Sequence, residues 1–238
     1  MSDVVDNDVL PAHVEQIVDQ LEEFIVFGRL HPRERLVEVA LAAQFGVNRH
    51  TIRQALIRLE ALGLIERKRN KGAVVREFTV EDAVHIYAVR EMLEVAAASE
   101  MLLPAAPSLL DRLVAIQEEH DVSVHSGDLR ALFRSNAEFH RALFSGCKNP
   151  FLFEAVDHFA SRSHAIRSFS MTNPDYLHAA RAEHWDMIEA LRTSDRDRLV
   201  DLCRSHLVRS RERYIEEYTN RYAGWRAASP QKENRRDR

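Results

Sequence analysis

The sequence predicts a mainly α-helical protein in two unequal parts: a small N-terminal module with one short β element, and a larger antiparallel bundle of about six helices. Three observations predict it. Apolar residues recur every three to four positions along most of the 238 residues, the spacing that gathers them on one face of a helix. That spacing lapses around residues 64–76, where two short apolar-rich runs flank a basic turn. Charge is also divided: residues 12–77 hold 11 basic and 9 acidic side chains, whereas residues 78–222 hold 17 and 23. A basic module joined to an acidic one confines affinity for a polyanion to the first part. With 45% of its residues hydrophobic, the chain can bury a substantial core.

The first eleven residues are acidic, end at Pro11 and are expected to be disordered. They lack the apolar run of a signal peptide, and no window approaches 18 continuous apolar residues, which argues against any membrane contact. Cys147 and Cys203 are too few for a disulfide framework, which fits a reducing cytoplasm.

A module over residues 12–77 follows. Its first helix runs from about Ala12 to Phe27, with Val14, Ile17, Val18, Leu21, Phe24 and Ile25 as its apolar stripe and Gly28 as its stop. Leu30 to Leu36 reads as a turn and a short edge strand. Ala40, Leu41 and Phe45 make the apolar face of a second helix, which Gly46 closes. Asn48 is a good N-cap for a third helix, in which Ile52, Ala55, Leu56, Leu59 and Leu62 share one face. Arg49, His50 and Arg53 lie off that face, near its start. Leu64–Arg67 and Ala73–Arg76 then read as two short strands around the turn Lys68–Gly72. Residues 49–76 contain eight Arg or Lys against two Glu. Together these features make a winged helix-turn-helix, the plan in which the second helix of the pair enters the DNA major groove.

The run from Ala12 to Arg76 resembles the winged helix of the GntR family of transcription regulators. The resemblance rests on Leu30-x-Pro32 before Arg35-Leu36, on Leu41-Ala42, and on Phe45-Gly46-Val47. Asn48-Arg49-His50-Thr51-Ile52-Arg53 stands where the family has Ser-Arg-Thr-x-x-Arg, followed by Ala55-Leu56, Leu59, Gly63-Leu64-Ile65 and the wing glycine Gly72. Arg33 replaces the usual turn glycine. The resemblance implies that Arg49 and Arg53 read bases, with Asn48, His50 and Thr51 beside them. It also brings Arg69, Lys71 and Gly72 of the wing to the phosphates and minor groove. An Arg fork pairs bidentately with guanine O6 and N7. Phosphate contacts add affinity and salt dependence but little sequence information.

From residue 78 the composition changes, and Thr79-Val-Glu-Asp82 opens a helix with a capping pattern. Helices are expected near 80–101, 108–124, 128–145, 150–170, 174–193 and 195–222. Pro104 and Pro107, Gly127, Asn149-Pro150, Asn173-Pro174 and Ser194-Asp195 separate them. Residues 223–238 are expected to be a flexible tail. Within the bundle, Asn136 and His140 are one helical turn apart and share a face. His184 and His206 lie at similar distances on either side of the turn near Ser194, so on antiparallel helices they can face each other. Three imidazoles and an amide oxygen would suit a divalent transition metal such as Zn²⁺ or Ni²⁺. Each of these histidines could equally be a hydrogen-bonded core residue, and spacing leaves both readings open.

Residues 79–222 look like the ligand-binding domain of the FadR subfamily of the same family, through Val89-Arg90-x-x-Leu93-Glu94, Phe139-His140, Asn149-Pro150, Glu183-His184 with Ile188 and Ala190, and the late His206. The resemblance implies a metal held by Asn136, His140, His184 and His206, with Asn136 where Asp is commoner. Neutral imidazoles and an amide leave the metal's charge uncompensated, so a small carboxylate effector is expected. Arg90 either contacts that carboxylate or pairs with Glu94, four residues on, or does both. Arg134, Arg162 and Arg167 are weaker candidates, and His158 and His164 either line the cavity or, as the commoner roles, sit on the surface or in the core. The expected protein is a homodimer on a palindromic double-stranded operator. Two rivals remain: the same regulator with a metal-free pocket, and a metal-dependent hydrolase. Against the hydrolase, no His-Glu-x-x-His or comparable carboxylate base accompanies the histidines.

Overall fold

The computed structural model describes residues 9–69, 72–167 and 173–228. Helix α1 (Val9–Val26) starts earlier than expected, inside the segment read as disordered. Pro11 falls in its first turn, where a missing N–H leaves no hydrogen bond unmade. Helices α2 (Glu38–Phe45) and α3 (Arg49–Ala61) form the helix-turn-helix. Gly46, at φ 66°, closes α2 in the left-handed conformation, and the Asn48 side chain accepts the Thr51 amide at 2.9 Å to start α3. Strands β1 (Ile65–Lys68) and β2 (Gly72–Val75) pair antiparallel, with Ile65 opposite Val75 and Lys68 opposite Gly72. Arg35 bridges to Val74, so the short edge strand expected before α2 is reduced to a single bridge that lies against the wing. Arg33 has φ 69°, the conformation that suits the glycine it replaces. Leu21, Ile52, Leu59 and Leu64 are wholly buried in this module's core. Each contributes roughly 1.5–3 kcal/mol relative to exposure.

The bundle comprises α4 (Val80–Ser99), α5 (Pro107–Ser126), α6 (Leu129–Ser145), α7 (Pro150–Arg162), α8 (His164–Arg167), α9 (Pro174–Arg192) and α10 (Arg196–Ala228). Thr79 and Asp82 complete the expected capping box on α4. Helix α6 packs on α5, α5 on α9, α9 on α10, and α10 and α7 on α4. The helix expected over 150–170 breaks at Ser163, which is fully buried. Its hydroxyl donates to the Ala160 carbonyl at 2.7 Å and accepts from the Arg90 guanidinium at 2.9 Å, a long-range contact that no local pattern announces. Helix α10 runs past the expected end at 222 to Ala228; the remainder of the tail lies outside the described residues. The two parts meet where α1 ends on α6. Val26, Leu132 and Phe133 are buried together there, and Phe27 stands edge-on to Phe133 at 6.1 Å. Among the described residues no helix is long and apolar enough to cross a membrane.

Candidate metal centre and DNA-reading face

Helix α6 turns a strongly apolar face inward, with Leu132, Phe133, Phe139, Leu143 and Phe144 buried, and Asn136 and His140 interrupt that face. His184 reaches the same place from α9 and His206 from α10; they are 0% and 5% exposed. The three imidazoles form a nearly equilateral triangle, with ring centroids 5.1 Å (His140–His184), 4.9 Å (His140–His206) and 5.2 Å (His184–His206) apart. One nitrogen from each lies within 4.8 Å of the other two. Nitrogens sharing one ion through Zn–N bonds of about 2.0–2.1 Å would lie roughly 3.3 Å apart, inside that limit. Asn136 is 9% exposed, and its Nδ2 has no hydrogen-bond partner among the described residues.

The surroundings set which nitrogen of each ring can ligate. Gln117 on α5 donates Nε2 to the Asp121 carboxylate at 2.9 Å. A carboxylate only accepts, so this bond fixes the amide and turns Gln117 Oε1 toward His184 Nδ1, at 2.8 Å. That nitrogen therefore carries the proton, and Nε2 carries the lone pair. His206 Nδ1 lies 2.8 Å from Glu183 Oε2 with the same consequence, and Arg209 holds the other Glu183 oxygen at 2.9 Å. Imidazole ligands backed by a carboxylate or carbonyl are what metal sites use to fix ring orientation and raise basicity. The residues thus fit a borderline-soft divalent ion. Asp121 also accepts from Arg181 at 2.7 Å and from the Trp185 indole at 3.2 Å. Burial alone would raise its carboxyl, but the hydrogen bonds from Arg181, Trp185 and Gln117 hold it below the usual carboxylate range.

Gln117, Asp121 and Glu183 had no assigned role in the sequence reading. Neither had His120, whose buried ring is 5.2 Å from His184 and 3.1 Å, through Nδ1, from the Ser135 hydroxyl. A signal existed: Gln117, His120 and Asp121 continue the Leu113–Ile116 stripe of α5 at helical spacing, so polar side chains occupy a buried face.

His140 also lines a cavity of about 430 Å³, within the range of small-molecule sites. Glu94, Arg112, Arg141, His164 and Glu22 share its wall, so of the two readings of His164 the cavity one is the one the structure shows. Arg90 sits behind Glu94. It is 1% exposed, donates Nε to Glu94 at 2.8 Å and NH1 to Ser163, and lies over the Tyr87 ring at 5.0 Å. Of the two readings of Arg90, the Glu94 pair is formed. Arg134 is engaged with Glu23, Arg162 lies against Gly63, and the Arg167 side chain is outside the described residues.

On the N-terminal module Arg49, His50 and Arg53 are exposed at the head of α3. Glu38 of α2, unassigned in the sequence reading, holds Arg53 at 3.1 Å and Arg49 at 3.6 Å. Arg53's hydrogen bond is the main reason its carboxyl lies below the usual range. Thr51 is 3% exposed and donates its hydroxyl to Asn48 Oδ1, so it completes the cap and does not face solvent. Arg69 is exposed beside the turn, and Gly72 has φ 73° with open space around its Cα. Lys71 lies outside the described residues.

A winged helix-turn-helix with an exposed arginine pair, joined to a helical domain with a small-molecule cavity, defines a ligand-responsive DNA-binding protein. Residues 13–75 match the model of the bacterial regulatory proteins of the gntR family, and residues 85–209 match the FCD domain. The chain therefore belongs to the GntR family of transcription regulators and carries the FCD effector-binding domain, a domain that often binds metal. It is 28% identical over 183 residues to the HTH-type regulator YdhC of Bacillus subtilis, covering 76% of this chain and 82% of that protein. To the regulator Rv0494 of Mycobacterium tuberculosis it is 32% identical over 170 residues, 64% of this chain and 70% of the relative. The solved structure of Escherichia coli McbR/YncC superposes with a TM-score of 0.72 at 22% identity, over 88% of this chain and 98% of that one, and shows the shared fold.

Proposed function

We propose that this regulator senses a small carboxylate bound at a divalent transition metal, Zn²⁺ or Ni²⁺, held by Asn136, His140, His184 and His206. The observation that carries the reading is the convergence of three buried imidazoles, two of them with Nδ1 committed to Gln117 and Glu183. Bound there, the ion would supply positive charge and open coordination positions for an anion. The chain's own residues orient the rings, exclude water and line the adjoining cavity. Arg90 enters through Glu94, offsetting the negative charge that an anionic effector meets at the cavity wall.

On the DNA side, Arg49 and Arg53 read bases with His50 beside them, Asn48 and Thr51 set the helix start, and Arg69, Lys71 and Gly72 of the wing meet the backbone. The protein acts in the cytoplasm as a homodimer on a palindromic operator, and the effector shifts the placement of its two DNA-binding heads. Purified protein should carry about one metal ion per chain by elemental analysis, and His184→Ala should remove it and lower the melting temperature, since metal bound to the folded state stabilises it. Asn136→Asp should tighten metal and weaken the anion, because a carboxylate supplies charge that the amide lacks. Metal-free wild-type protein, or an Asn136→Asp variant unchanged in both affinities, would refute the site.

A further inference from the structure

We propose that Glu22 of the DNA-binding module is itself part of the effector site, and that its contact with His164 is the joint an anionic ligand loosens. The inference rests on the reading of the cavity as the effector site. Glu22 belongs to α1, yet it lines the same cavity as His140. Its carboxylate lies 2.6 Å from Nδ1 of His164 on α8; both side chains are largely buried, and the imidazole stands edge-on to Phe133 at 5.0 Å. The next residue, Glu23, is 6% exposed and binds Arg130 at 2.7 Å and Arg134 at 2.6 Å. Both arginines are on α6, the helix that presents Asn136 and His140. One turn of α1 is therefore fastened to the effector domain at two adjacent points, and only the first of them faces the cavity.

Charge decides which point responds. The other acidic groups on the cavity wall each have a guanidinium partner: Glu138 has Arg112 at 3.4 Å, Asp157 has Arg141 at 3.6 Å, and Glu94 has Arg90. The partner of Glu22 is an imidazole, charged only when protonated. The same face of α1 is already crowded with negative charge. Asp19 has its carboxyl pushed above the usual range by burial first and by the charge of Glu22 next. An anion entering the cavity thus meets at Glu22 the one carboxylate on that wall whose partner is an imidazole and not a guanidinium, and it meets it on the DNA-binding module. Whatever repulsion the ligand feels from Glu22 in the docked state is the coupling between ligand and head placement, and linkage makes it reciprocal. The ligand class that works this joint is a small dianion, one carboxylate directed at the histidine cluster and its remaining charge toward α1.

The test uses full-length zinc-loaded protein, malonate as the probe, and an operator selected in vitro from random DNA by the wild type. Glu22→Gln keeps a hydrogen-bonding group for His164 but removes the charge. It should raise malonate affinity about five- to tenfold by calorimetry and bring the malonate-induced change in operator affinity close to onefold. Glu138→Gln removes a cavity charge within the effector domain; it should raise malonate affinity while leaving the operator response at its wild-type size. Malonate affinity and operator response both unchanged by Glu22→Gln would overturn this inference alone, as would loss of the response in Glu138→Gln as well. Zinc-loaded wild type that binds no malonate would show that the cavity does not open onto the metal, overturning both readings.

Discussion

Arg90 is the largest fully buried side chain among the described residues, and its environment explains what that requires. A guanidinium removed from water is tolerated here because Glu94, Ser163 and the Tyr87 ring surround it. Arg90→Met leaves Glu94 buried without its counter-charge and should destabilise the protein by about 3–5 kcal/mol in urea unfolding. Adding Glu94→Leu should restore most of that loss, because an apolar pair needs no desolvation. A single variant as stable as wild type would mean that water reaches the pair. Cys203 follows from the same surroundings. Burial first, and the negative charge of Glu94 next, push its thiol well above the ordinary range. Native protein should therefore leave Cys203 unmodified by a thiol-specific reagent such as iodoacetamide, with labelling only on unfolding; mass spectrometry of labelled peptides measures this.

Among the elements, α3 carries its stabilising cap and its exposed arginine pair at one end. Asn48 caps it and fixes Thr51, while Arg49 and Arg53 fan outward under the hold of Glu38. Asn48→Ala should cost about 1 kcal/mol of stability. Arg53→Ala should leave stability nearly unchanged yet abolish discrimination between the selected operator and random DNA; equal footprints for variant and wild type would remove Arg53 from the reading face. Helix α5 carries one pH-dependent contact. The Asp121 carboxyl is depressed in the folded state, so its contribution to stability is fully present above the unfolded value of about 3.9 and is lost as pH falls through the lower folded value. Asp121→Asn should accordingly be less stable than wild type near neutral pH, with the gap closing as both are acidified below about pH 4. A constant gap across that range would show that charge plays no part in the contact with Arg181 and Trp185.

At the scale of the whole molecule, two modules with separate cores are joined at α1, whose last turns rest on α6. This arrangement lets one helix of the DNA-binding module touch both the core beneath α3 and the cavity lined by His140. If the protein works as a dimer, its footprint on a selected operator should show two half-sites about 34–36 Å apart, one helical turn or a multiple of it, with dyad symmetry. Sedimentation should give twice the chain mass. A monomer protecting a single unsymmetrical site would contradict the palindromic reading.

The helices, every break between them except the one at Ser163, and the winged helix-turn-helix were legible in the chain because the signals are local. Periodic Leu and Ile stripes, Gly46 at a left-handed turn, the Asn48 cap and the Thr79–Asp82 box each act within a few residues. The Asn136–His140 pair was legible for the same reason, and His184 with His206 only needed two helices folded about a short turn. Tertiary packing decided the rest. Ser163 ends α7 while bonded to a guanidinium 73 residues away, and Gln117 selects the His184 tautomer across 67 residues. Glu22 becomes a cavity residue only because α1 packs against a domain that begins more than fifty positions later. Which helices meet depends on the summed burial of many apolar side chains, a property of the whole core that no short stretch of sequence carries.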